Sequence, residues 1–225
     1  MRRSPPKHEA ELMVRARALC GRTLGEIGAA LGTPIGSAAG RHTKGLAGGL
    51  IERALGASAG SSAQPDFPSL GIELKTIPID LRGRVRESTF VCTIPLQRIA
   101  NEAWSDSWLR RKLGRVLWVP IEAAPSLAMA ERRVGPAVLW WPDAVEEAEL
   151  KVDFEELAGR IGVGAIDELT AHSGRHLQVR PKGENARART LAPGVDGELT
   201  FAPPRGFYLR ASFTTALLAR CLGRE

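Results

Sequence analysis

The sequence is poor in cysteine, and its three cysteines, Cys20, Cys92 and Cys221, are odd in number and far apart. That arrangement supports neither a disulfide framework nor a Cys/His zinc cluster, and the three are expected to be reduced thiols in the core. No stretch approaches the ~18 uninterrupted apolar residues of a membrane-spanning helix. The N-terminal "MRRSPPKHEAEL" is basic but has no apolar run behind it, so no secretory leader is expected, and a cytoplasmic protein with no membrane partner is. Internal repeats are absent, and low complexity is confined to "GASAGSSAQPD" at 56 to 66. Aromatic residues are only 5% of the chain, with a single tyrosine, Tyr208.

What remains is sufficient for a folded core. The 225 residues are 44% hydrophobic, enough for one domain over 1–225 with room for two lobes. The net charge of +6 leans toward a polyanionic partner. Arginine supplies most of the cationic charge, and its planar fork matches phosphates and guanine edges better than a lysine point charge does.

Periodicity predicts helices near 8 to 19, from Thr23 with Glu26 in capping-box position, and from about 37 to 55. Strands are expected in "GIELKTIPI", "STFVCTIPL", "RVLWVPIE", "AVLWW", then after two helices in "HLQVR", "GELTF" and "RGFYL", with a closing helix "FTTALLARCLG". Residues 80 to 88 have hairpin-like spacing. The fold class is α/β in the mixed α+β sense, with a mixed sheet flanked by helices. A helical N-terminal part, about 8–60, contributes to one lobe, and a sheet-rich remainder runs over about 66–225. The five tryptophans, Trp104, Trp108, Trp118, Trp140 and Trp141, are expected in the core.

Two segments share the letters Pro-Asp followed by Glu-x-Lys: "PDFPSLGIELK" from 65 and "PDAVEEAELK" from 142. The pattern alone is weak, because Glu-x-Lys occurs by chance about once in a chain of this length. In the first copy Ile72 and Leu74 alternate with Glu73 and Lys75, the period of a half-buried strand, so Glu73 and Lys75 share a face. In the second copy Val145, Leu150, Phe154, Leu157 and Ile161 recur at helical intervals, which scatters Glu149 and Lys151 to different sides. The first copy is the candidate site. Asp66 and Glu73 offer two carboxylates and the Leu74 carbonyl a third hard oxygen, a donor set suited to magnesium. Lys75 stands where it can orient or deprotonate a water and offset developing charge. The competing reading is an exposed strand with a weak Glu73–Lys75 ion pair.

Several blocks in one order, "LGASAGSSAQPDFPSLGIELKTIPID", "TFVCTIPL", "RRKLGRVLWVPIE", "HLQVRPKGENARA" and "APPRGFYLRASFTTALLAR", resemble the MutH family, the strand-nicking endonucleases of methyl-directed DNA mismatch repair. The resemblance spans about residues 10 to 221. It implies a restriction-endonuclease-like core in two lobes that form a DNA-binding cleft. It also implies Mg2+ held by Asp66, Glu73 and the Leu74 carbonyl, with Mn2+ or Ca2+ as substitutes, and catalysis by Asp66, Glu73, Lys75, Glu52 and Lys112. Its DNA-binding positions fall on Lys44, Phe90, Arg180, Pro181, Lys182 and Tyr208. Arg180 and Lys182 sit among Arg175, Arg187 and Arg189 opposite Glu184 alone, a basic loop suited to base edges or to phosphates. Phe90 is either a wedge between bases or core, and Tyr208 either lies near the adenine whose methylation is sensed or packs internally.

The implied substrate is double-stranded DNA with a hemimethylated GATC, nicked by a monomer that MutL activates. A type II restriction enzyme of the same fold and a noncatalytic DNA-binding or MutL-docking module are the alternatives. The family carries tryptophan where this chain has Leu46, a departure that touches the N-terminal lobe and leaves the chemistry intact.

Overall fold

Among the described residues three helices open the chain, each with local signals at its ends. The computed structural model describes residues 3–35, 45–59, 64–170, 172–183, 185 and 187–223. Helix α1 (Glu9–Arg17) begins at His8, whose ring accepts the Glu11 N–H. Helix α2 (Leu24–Ala30) starts at a reciprocal capping box: Glu26 N–H donates to Thr23 Oγ1 at 3.1 Å, and Thr23 N–H to Glu26 Oε2 at 2.7 Å. Helix α3 (Leu46–Leu55) lies between two left-handed glycines, Gly45 (φ 87°) and Gly56 (φ 85°). Sequence periodicity starts this helix near 37, but 36–44 lie outside the described residues and the observed helix starts at Leu46.

The chain builds two units from separated segments. The first takes residues 1–87, 115–141 and 217–225; the second takes 88–114 and 142–216. In the first, β1 (Glu73–Ile79) runs parallel to β3 (Val116–Glu122), and β4 (Val138–Trp140) lies antiparallel on the other side of β3. The order β1-β3-β4 leaves β1 at an edge. Leu74, Leu117, Val119 and Ile121 join Leu12, Ile27, Leu50 and Ile51 in one buried cluster. Paired residues share a face, so Glu73 and Lys75 stand with Val116 and Trp118 on the opposite side. Leu46 packs against the cluster.

The second unit holds an antiparallel sheet ordered β2-β8-β5, with β2 (Thr89–Thr93), β5 (Leu177–Pro181) and β8 (Arg205–Leu209). A separate ribbon pairs β6 (Thr190–Pro193) with β7 (Leu199–Ala202). Helices α4 (Trp108–Leu113) and α5 (Ala144–Gly162) belong here, and the division between units runs through α6 (Ala211–Cys221) at Leu217. Trp104, Phe154 and Phe207 form a buried ladder of rings with centroids 5.6 and 5.8 Å apart. Aromatic pairs at such spacing add about 0.5–1.5 kcal/mol to their burial.

The fold is mixed α/β as expected, with several corrections. The strands are distributed over three sheets instead of one. Strands β1 and β2 do not form a hairpin; residues 80–86 turn back on β1 alone, through Ile79 opposite Val85, and the chain then enters the other unit. One long helix and a 3-10 turn at Ile166–Glu168 replace two helices before β5, and β6 is a strand that composition did not announce. Cys92 is buried, but Cys20 and Cys221 are exposed. Trp104, Trp118 and Trp140 are core, whereas Trp108 is half-buried and Trp141 is exposed beside Arg115.

Candidate functional site

The edge position of β1 explains how its short motif becomes a site. Glu73 N–H donates to the Arg115 carbonyl at 2.9 Å, so that backbone group faces β3. Backbone groups alternate along a strand, which turns Leu74 N–H and C=O toward the open edge. Asp66 occupies that edge: its Oδ2 accepts Leu74 N–H at 2.8 Å. Three local features return Asp66 to the strand. Phe67 is anchored in the core with 2% exposure, Gly71 takes a left-handed φ of 64°, and Phe67 and Ile72 exchange backbone hydrogen bonds around the turn. Ser58 N–H also donates to the Asp66 carbonyl at 3.0 Å.

Glu73 is 4% exposed, and Lys75 Nζ donates to its Oε1 at 2.8 Å. The exposed-strand reading fails here, because a buried carboxylate needs a compensating partner and Lys75 provides it. Asp66, Glu73, Leu74 and Lys75 are thus brought together by direct bonds. Glu52 lies on α3 where that helix crosses β1: a Cβ on Gly48 would sit 3.6 Å from Thr76 Oγ1 and 4.0 Å from Glu52 Oε1. Lys112 belongs to the second unit, its Nζ 5.2 Å from the centre of the Trp108 ring.

Among the described residues, no three Asp, Glu, His or Cys side chains gather closely enough to hold a metal ion by themselves. Two carboxylates and a strand carbonyl nonetheless fit a magnesium-class cation, which takes one or two carboxylates and completes its shell with water and substrate phosphate. The set has no thiolate or imidazole, which disfavours zinc.

Of the positions expected to contact DNA, Phe90, Arg180, Pro181, Lys182 and Tyr208 belong to the second unit. Phe90 and Tyr208 face each other across β2 and β8 with ring centroids 5.3 Å apart, edge to face. Each ring carries a cation: the Arg180 guanidinium lies 5.7 Å from Tyr208 and Lys182 Nζ 4.4 Å from Phe90. Arg180 also donates to Ser88 Oγ at 2.5 Å. Pro181 ends β5 opposite Arg205, and Lys182 N–H donates to the Pro204 carbonyl at 2.7 Å. Tyr208 is half-buried, not sealed in the core, and burial raises its hydroxyl above the usual 10.0. It is a neutral phenol at physiological pH. Phe207, its neighbour, points into the core with 1% exposure. Lys44 and Glu184 lie outside the described residues. Arg175 leaves the expected basic loop and pairs with Glu149 at 2.5 Å.

Sequence reasoning missed three contributors. Gly206 lies inside β8 opposite Arg180, and a Cβ there would meet Phe90 Cε2 at 2.8 Å and Lys182 Cβ at 3.3 Å. The bulge between Phe90 and Cys92 sets Phe90 against Tyr208. Asp153, 3% exposed on α5, accepts the N–H groups of Arg175, His176 and Leu177 at 2.8, 2.5 and 2.7 Å and so anchors the start of β5. One compositional signal was available. The chain has only six lysines among 31 cationic residues, and four of the six, Lys44, Lys75, Lys112 and Lys182, are candidate positions.

A buried Glu-x-Lys strand met by Pro-Asp in one unit, and cation-capped aromatics on a sheet of the other, characterise a DNA endonuclease with a restriction-endonuclease-like fold. Sequence comparison narrows that class. Residues 55–153 match the model of the family described as "DNA mismatch repair enzyme MutH". The chain is 49% identical over 217 residues to DNA mismatch repair protein MutH of Klebsiella pneumoniae (strain 342), covering 96% of this chain and 94% of the relative. It is 48% identical over 219 residues to DNA mismatch repair protein MutH of Escherichia coli (strain K12), with the same coverage. The chain belongs to the MutH family of DNA mismatch repair enzymes.

Proposed function

We propose that this enzyme is a magnesium-dependent nicking endonuclease that cuts the unmethylated strand of double-stranded DNA at hemimethylated GATC, as a cytoplasmic monomer activated by MutL. The observation that carries the reading is the Asp66–Leu74 and Glu73–Lys75 bonding on one edge strand, since it joins both carboxylates and the lysine at a single place. No described helix is long and apolar enough to cross a membrane.

Asp66, Glu73 and the Leu74 carbonyl would hold the cation. When bound, a divalent cation offsets charge on the phosphate and lowers the pKa of the attacking water. Lys75 orients that water through Nζ and places a positive charge beside the phosphoryl oxygens. Glu52, next to β1 at Thr76, extends the acidic side of the site, and Lys112 is a further catalytic residue. Mn2+ would replace Mg2+ with turnover, and Ca2+ would occupy the site. The second unit reads the sequence: Arg180 presents a planar fork to guanine, Lys182 a point charge to phosphate, and Lys44 and Pro181 complete the contact. Phe90 wedges against bases, and Tyr208 excludes an adenine carrying a methyl group by steric clash.

The test is nicking of unmethylated, hemimethylated and fully methylated duplexes, with and without MutL. Cutting confined to unmethylated strands and stimulated by MutL is expected. Double-strand cleavage without MutL would move the chain to the restriction enzymes, and binding with no cleavage in any metal would leave a docking module.

A further inference from the structure

The loop that leaves β1 has a charge the site does not use. Residues 80–86 read "DLRGRVR", three arginines at alternate positions behind one aspartate. The turn is locked from within: Asp80 Oδ1 accepts the N–H groups of Arg82 and Arg84, both at 2.9 Å, Asp80 N–H donates to the Arg84 carbonyl at 2.9 Å, and Gly83 takes a φ of 76°. Arg86 N–H returns to the Pro78 carbonyl at 3.0 Å, which seats the loop on the end of β1. The backbone N–H groups on its carboxylate, that of Arg84 foremost, hold the Asp80 carboxyl below its usual range.

The loop borders an open depression of about 220 Å³ that Asp80 to Arg82, Arg84 and Arg86 line together with Ala123 to Pro125. Asp80 is the one acidic residue of the lining. Arg82, Arg84 and Arg86 are all exposed or half-exposed at the surface. Among the described residues, the ion pairs of these three go to Asp80 alone, at 3.4 Å from Arg84 and 3.9 Å from Arg86. Three guanidiniums against one inward-turned carboxylate leave an excess of two positive charges on a preorganised frame.

We propose that the Asp80–Arg86 loop is a phosphate clamp for the DNA backbone flanking the cleavage site. Five residues of extended chain separate Lys75 from Asp80, roughly 16 Å at the rise of a strand. A DNA strand carries a phosphate about every 3.4 Å of axis, so the loop would meet backbone within some four to five phosphates of the one being cut. The clamp senses charge alone, because among the described residues none of the three guanidiniums is held by a second, uncharged partner that would aim it at a base edge. The proposal rests on the nuclease reading in requiring a duplex ligand and a cleavage site at β1.

The experiment is equilibrium binding of random-sequence duplex, in EDTA, across a salt series, with the full chain and the variants Arg82→Ala, Arg84→Ala, Arg86→Ala and the triple. Each phosphate interaction removed should flatten the slope of log K against log salt by about 0.9, and the triple variant by about two to three units. Arg→Lys at the same positions should restore the slope, since charge is retained. Removing the exposed Arg17 should leave it unchanged. A parental slope for the triple variant on long duplex overturns the proposal. So does a parental slope combined with abolished stimulation by MutL, which would make the loop a protein-docking surface. A chain that nicks without regard to methylation yet shows these slope changes would fail the proposed function and keep the clamp.

Discussion

The two Pro-Asp/Glu-x-Lys segments compose nearly the same residues into opposite objects. In the first, a parallel edge strand sets Glu73 and Lys75 two residues apart on one face, and a glycine turn returns Asp66 to the strand backbone. In the second, the letters lie on α5. Asp143 is the helix N-cap, its Oδ1 accepting the N–H groups of Val145 and Glu146 at 2.9 Å. Glu149 turns to Arg175 and His176, while Lys151 pairs with Glu155 one turn on. A period of two converges side chains i and i+2, and a period of 3.6 separates them. Spacing in sequence is therefore meaningful only once the local period is known.

The difference between the two copies should show most in activity. Asp66→Ala, Glu73→Ala and Lys75→Ala should each reduce nicking roughly 100- to 10,000-fold with the fold intact by circular dichroism. Near-normal turnover of Glu73→Ala with added magnesium would remove β1 from the chemistry. Next in size is the β2-β8-β5 sheet. Gly206→Ala forces the Phe90 ring and Lys182 aside, and Arg180→Ala removes a forked donor. Arg180→Ala should cost about 1–3 kcal/mol against cognate duplex specifically, whereas Lys182→Ala should weaken cognate and random duplex alike. Gly206→Ala should lower affinity for both. Titrations of the two duplexes with each variant separate these outcomes.

Tyr208→Ser should act on strand choice before rate. Relief of the clash should bring nicking of unmethylated and methylated strands closer together, and an unchanged ratio in a folded variant would return Tyr208 to packing. Phe207→Ser should instead destabilise by several kcal/mol, since it empties a position with 1% exposure in the ring ladder. The smallest effects belong to the second copy. Asp143→Ala should lower stability by about 0.5–2 kcal/mol through removal of the cap, with nicking within a few fold of the parent. Lys151→Ala should change neither, because it removes one exposed i,i+4 pair.

How much was legible follows from range. The Thr23 capping box, the period-2 strand at 72–75 and the amphipathic α5 are local, and each formed where its residues indicated. The direct bonds joining Asp66, Glu73, Leu74 and Lys75 were nearly local as well, all falling within Asp66–Lys75. The β2-β8-β5 sheet was legible only as separate blocks, because Phe90 meets Tyr208 through strand pairing across more than a hundred residues, and Arg180 joins them from a third strand.

The amino-acid sequence by itself determined which residues share a face, where helices begin, and that the first acidic-lysine motif converges while the second disperses, since backbone period and side-chain hydrogen bonding to adjacent N–H groups act within a few residues. Tertiary structure alone decided that β1 pairs with β3 instead of β2, that Glu73 is buried and needs Lys75, that Gly206 makes room for Phe90 and Lys182, and that Asp153 collects three N–H groups from the start of β5. Those outcomes depend on which distant segments exclude water from one another and where a backbone approaches too closely for a Cβ, quantities that no window of neighbouring residues contains.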